Sequence, residues 1–137
     1  RFEFHHFPLR SHPNAALVAE TSECIANLVS EDAFWNFHDT VFAKQTEWAN
    51  SPNALNIMLG YAKDIGADHP ALQSCILNGD YADVVASSYN HGLNVLNVNA
   101  TPTVFINGVR FSDYTDPAAY ERAMRIAELV EYQPETP

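Results

Sequence analysis

The first seven positions alternate. In Arg1-Phe2-Glu3-Phe4-His5-His6-Phe7, the side chains of Phe2, Phe4 and His6 fall on one face and those of Glu3, His5 and Phe7 on the other. That is the two-residue period of a strand. Aromatics on both faces predict a strand covered on both sides, ended by Pro8. The pattern then turns helical for about ninety residues. Pro13 stands at a first-turn position and opens a helix over residues 14 to about 29, with Leu17, Cys24 and Leu28 on one stripe flanked by Val18 and Ile25. Ser30 is the N-cap of a helix over residues 31 to about 45, with acids in its first turn. Phe34, Trp35, Phe37, Phe42 and then Trp48 recur at helical spacings, which predicts core packing. Ser51-Pro52 caps a third helix over 53–65, closed by Gly66. A short fourth starts at His69 or Pro70 and runs to 77, closed by Asn78-Gly79, and Asp80 starts a fifth reaching about 93.

Residues 98–111 break this helical run. A β-branched and aromatic stretch, an Asn107-Gly108 turn and a short return strand predict a β-hairpin. Pro102 opens its first strand, where the missing N–H is tolerated, and a Thr-Pro bond there can be kept cis. An exposed backbone edge before such a proline can pair with an extended peptide. The plainer expectation is an ordinary buried hairpin. Asp116-Pro117 then opens a terminal helix through about 132, with Tyr120, Met124, Ala127 and Val130 or Glu131 at helical spacing, and residues 133–137 are expected to fray. The order is strand, four or five helices, hairpin, helix. No internal repeat or low-complexity linker divides it, so one domain is expected, its helices packed over a sheet.

Composition narrows the function classes. A chain of 137 residues with 47% hydrophobic residues can bury a core and is not disordered. Seven basic against 17 acidic residues give a net charge of −10, which repels phosphate backbones, so nucleic acid is not expected as a partner. No apolar run approaches the roughly 20 residues of a membrane span. The chain begins at Arg1, inside the predicted strand, and residues are expected upstream.

Cys24 and Cys75, 51 residues apart, form neither a Cys-x-x-Cys pair nor a zinc cluster. They are either two buried thiols or one disulfide in an oxidising compartment, the latter adding up to about 4 kcal/mol. The six histidines fall on different elements and lack an i, i+4 pairing, so no metal is expected. Nucleophile-elbow, dinucleotide and P-loop motifs are absent, and no cofactor is expected. Glu3, in a covered strand, would be a carboxylate with a raised pKa able to accept a proton from a reactive cysteine, or else an edge group reaching water. Asn99-Ala100-Thr101 is formally a glycosylation sequon, expected to be buried and fortuitous.

Several segments together resemble a known family. Phe4-His5-His6-Phe7-Pro8-Leu9 followed by Ser11-His12-Pro13-Asn14-Ala15-Ala16 is similar to the segment leaving the second strand of DsbA-like thiol–disulfide oxidoreductases. Glu23-Cys24-Ile25-Ala26 and Phe34-Trp35-Asn36-Phe37-His38-Asp39-Thr40-Val41-Phe42 resemble that family's first inserted helices. The stretch from Ala100 through Thr101, Pro102 and Thr103 to Gly108 resembles its cis-proline loop and hairpin. The resemblance implies an α/β, thioredoxin-like (DsbA-like) fold, with residues 1–12 and 98–132 as the thioredoxin part and 13–97 as a large helical insertion. Ala100, Thr101 and Pro102 would bind substrate, and Cys24 and Cys75 would form a second, structural disulfide.

The first strand and the catalytic Cys-x-x-Cys of that family are missing from this chain and are expected upstream of Arg1, or from another chain. Without that strand the sheet would be left with unpaired edges. The resemblance further implies client proteins or peptides with thiols or disulfides, a membrane redox partner, and a periplasmic, cell-envelope or secreted location. Two other functions use the same fold. One is an isomerase or kappa-type glutathione transferase with a serine in place of the leading cysteine; the other is a non-catalytic peptide-binding module.

Overall fold

The computed structural model describes residues 1–130. The predicted end of the terminal helix and the tail, residues 131–137, lie outside the described residues. The elements are α1 (Ala15–Leu28), α2 (Glu31–Ala43), α3 (Gln45–Trp48), α4 (Ala54–Asp64), α5 (Leu72–Asn78), α6 (Ala82–Asn94), β1 (Val104–Ile106), β2 (Val109–Phe111) and α7 (Pro117–Leu129). They fall into two compact units, Arg1–Asn97 and Val98–Pro137.

In the first unit, α1 packs chiefly against α2 and α5. The shared core holds Ile25, Phe37, Met58, Ala62 and Leu72, each almost fully removed from water. Cys24 and Cys75 belong to this core and are joined, with S–S 2.02 Å, so α1 and α5 are held covalently together. Local chemistry sets the boundaries. Ser30 Oγ accepts the N–H of Ala33 and caps α2, as its sequence predicts. Gly79 takes a left-handed φ of 70° after α5, which lets Asp80 N–H reach the Cys75 carbonyl and Gly79 N–H reach that of Ile76. That paired closure satisfies two carbonyls that the helix end would leave unmet.

Two helical boundaries differ from expectation. Asn14, at the start of α1, does not cap it; its side-chain amide donates to the carbonyls of Trp48, Ala49 and Ser51 and ties down the turn after α3. The second predicted helix ends at Ala43, and Trp48 sits on a separate short turn, its indole N–H bonded to the Val41 carbonyl.

Residues 1–9 are not a strand. Among the described residues the sheet has two strands, β1 and β2, so the alternating segment meets no backbone ladder. Its side chains nevertheless keep the expected phase. Phe2 and Phe4 lie against Trp35 and Phe34 of α2, whereas Phe7 stacks on Tyr89 of α6 at 4.6 Å. Side-chain burial alone can hold an extended segment, and a ladder needs a neighbour as well. The Glu3 side chain is 52% exposed and pairs with Arg1 at 3.1 Å and His5 at 3.6 Å, so it is the edge carboxylate and not a covered proton acceptor.

The second unit is built on the predicted hairpin. Val104 faces Phe111, Phe105 faces Arg110 and Ile106 faces Val109 in antiparallel register. Asn107 and Gly108 both have positive φ, 48° and 79°, as a two-residue turn matching strand twist requires. Asp116 accepts the Ala118 N–H to cap α7, with Pro117 at the first position. Tyr120 packs edge-on to Phe111 at 4.9 Å, and Asn107 donates to the Ala127 carbonyl. The spacing argument fails further along α7, where Met124 and Val130 are exposed and Ala119 is the buried position.

Candidate functional site

In the second unit the chain enters the hairpin through a short loop. Val98 is buried, but Asn99, Ala100, Thr101 and Pro102 are exposed, and the Thr101–Pro102 peptide bond is cis. Thr103 Oγ1 donates to the Ala100 carbonyl at 2.7 Å and closes the loop on itself. The strand that follows has half-buried side chains, so the hairpin is not the fully buried one that composition suggests. Asn99 is exposed too, against the expectation that the sequon would be covered. The loop thus offers backbone groups to solvent, and Pro102 contributes a ring and no N–H donor.

Both cysteines lie elsewhere. Cys24 and Cys75 are buried in the helical unit and joined to each other, so no free thiol is left in the chain. A buried, bonded sulfur cannot supply the accessible thiolate that exchange chemistry needs. Among the described residues no group of His, Cys, Asp and Glu could hold a metal ion.

Sequence reasoning missed a polar contact in the helical unit. His6 is 7% exposed, and its Nε2 lies 3.0 Å from Glu23 Oε1 on α1. Its own carbonyl accepts the Ser88 hydroxyl from α6 at 2.8 Å. Phe4 stands edge-on to the imidazole at 5.2 Å, and His38 stands edge-on to Phe4 at 4.8 Å. The two-residue phase put His6 beside Phe4, and that was the available signal; nothing in the spacing pointed to Glu23.

Burial pushes the His6 pKa below the ordinary histidine value, outweighing the opposite pull of Glu23, while His38 and His5 add to the lowering. The unfolded chain therefore takes up this proton near pH 6.5 and the folded one only at lower pH. The contribution of His6 to stability is complete above about pH 6.5 and is lost as the pH falls through the folded value. Thermal melts between about pH 7.5 and pH 5 should show stability falling with acid. A His6→Gln chain should lose less over the same interval; identical slopes would show that His6 is not the responsible group.

The model of the thioredoxin family matches residues 1–125. The chain belongs to the thioredoxin family. This thioredoxin-like domain consists of helices and a small two-stranded sheet. It is similar to the Na(+)/H(+) antiporter NhaA 1 of Salinispora arenicola, 31% identical over 111 residues, covering 80% of this chain and 16% of that protein. It is similar to NhaA 3 of Salinispora tropica, 30% identical with the same coverage. It is also 29% identical over 127 residues to NhaA 1 of Mycolicibacterium vanbaalenii, covering 90% of the chain and 19% of the antiporter. The thioredoxin-like chain thus spans less than a fifth of the length of these curated relatives. No solved structure matches it. No helix among the described residues is long and apolar enough to cross a membrane.

Proposed function

We propose that this chain is the client-holding part of a DsbA-like thiol–disulfide oxidoreductase working outside the cytoplasm. The observation that carries the reading is the exposed Ala100-Thr101-Pro102 loop at the head of the hairpin, in a chain of the thioredoxin family. An extended client would pair with the free backbone of this loop, as peptides add to open strand edges. The reactive dithiol comes from outside these 137 residues, because Cys24 and Cys75 are already bonded. In the oxidising direction a client thiolate attacks the enzyme disulfide and releases one enzyme thiolate. A second client thiolate then attacks the mixed disulfide, so the client is oxidised by two electrons and the enzyme disulfide reduced to a dithiol.

The test compares the 137-residue chain with the same chain extended through its natural upstream residues, using a fluorogenic peptide disulfide. The short chain is expected to give no rate above buffer and the extended chain an enzymatic rate that is lost when its leading cysteine becomes serine. Catalysis by the short chain would overturn the proposal. So would an upstream serine with tight glutathione binding, or an upstream segment without cysteine that still binds clients. The names of the relatives favour a second reading, in which the thioredoxin-like domain is a module borne on the same polypeptide as an ion antiporter. Its redox partner would then be membrane-bound. Sequencing the surrounding reading frame decides this, since an uninterrupted transporter region supports the module and its absence refutes it.

A further inference from the structure

Independently of the proline loop, the helical unit carries an open groove of about 370 Å³ between the N-terminal segment, α1 and the start of α2. That volume suits a small ligand or one long side chain. Its aromatic wall is Phe2, Phe4, Phe34 and Trp35. Phe2 rests on Trp35 with ring centres 5.6 Å apart and is still 76% exposed, so an aromatic surface is presented to solvent. Phe34 braces Trp35 edge-on at 5.0 Å.

The polar part of the lining is lopsided. Glu3, Glu23 and Glu31 face a single guanidinium, that of Arg1, which pairs with Glu3. Glu23 gives one oxygen to His6, and its Oε2 has no hydrogen-bond partner among the described residues. Glu31, in the first turn of α2, has no ion-pair partner among them. Anions are disfavoured by these carboxylates and by the overall charge of −10, which draws cations toward the surface.

From these contacts the geometry points to a binding site for a guanidinium group, laid flat on the Phe2–Trp35 surface and held by Glu23 and Glu31. A planar, weakly hydrated cation can stack on the rings and bond a carboxylate in its own plane, which a compact ammonium cannot do equally well. The ligand is either a free arginine-like molecule or an arginine side chain of an extended peptide.

Titrations would follow the fluorescence of Trp35 with argininamide, with a short arginine-containing peptide, and with the same peptide carrying citrulline. Because Trp48 is buried, the ligand-dependent signal is expected to come from Trp35. The guanidinium probes should bind at least about tenfold tighter than the citrulline peptide, and the preference should shrink with added salt. Glu31→Gln, an exposed change that leaves the core intact, should weaken binding about fivefold; so should Trp35→Leu, read by calorimetry. Argininamide binding as well as the peptide identifies a small-molecule site, whereas binding of the peptide alone identifies a peptide site; both uphold the assignment. Equal binding of citrulline, or unchanged affinity in both variants, overturns it.

Discussion

Removing the Cys24–Cys75 bond is expected to lower stability by about 4 kcal/mol and the melting temperature by about 12 °C. The bond closes a loop of 51 residues that carries α2, α3 and α4. Cutting it restores the conformational freedom of that loop to the unfolded chain, and this sets the magnitude. Unfolding and refolding in reductant produces the dithiol, confirmed by a two-hydrogen mass gain, and the melt is then repeated. The double substitution Cys24→Ala and Cys75→Ala should cost more than reduction, because it also removes two buried sulfurs from the core. An unchanged melting temperature in the dithiol form would show that the bond does not stabilise the fold. A loss of this size favours an oxidising compartment for the natural protein, consistent with the extracytoplasmic proposal.

How much of this was legible in the sequence depends on whether the deciding contact is local. The caps at Ser30 and Asp116, the Asn107-Gly108 turn and the closure at Gly79 are each set by neighbours within a few residues, and all appear where the chain predicts them. The N-terminal alternation fixed which side chains share a face, but a ladder depends on a partner strand that spacing cannot supply. Asn14 looked like a cap and is used some 35 residues away, on the carbonyls after α3. The pairing of Cys24 with Cys75 was open on spacing alone; family resemblance pointed to it, and the meeting of α1 with α5 produces it.

The candidate site divides in the same way. The proline loop is a contiguous run of residues, so its position was readable, including the proline at the strand entrance. The His6–Glu23 contact and the aromatic groove join residues 1–5 to α1 and α2, and neither leaves a motif. Glu3 was misjudged because burial was inferred from alternation; the structure buries Phe4 and His6 partly or fully and leaves Glu3 and His5 outside.

The aromatic run of α2 supplies the sharpest check on the core, because spacing treated Phe37 and Phe42 alike and the structure separates them. Phe37 lies on the stripe with Ala33, Phe34 and Val41 and is 0% exposed; Phe42 is one position off it, 57% exposed, with its ring against His38. Phe37→Ala is expected to cost about 3–5 kcal/mol, combining the lost transfer of a buried ring with the cavity left between α1, α2 and α4. Against a usual total of about 5–15 kcal/mol, that loss leaves the chain close to unfolding at growth temperature. Phe42→Ala should cost less than about 1 kcal/mol, since only a partly solvated ring contact disappears. Paired denaturant melts measure both. Similar midpoints for the two variants would mean that the stripe through Phe37 does not hold α2 on the core, and that the burial pattern from which the groove and the His6 contact are built is wrong.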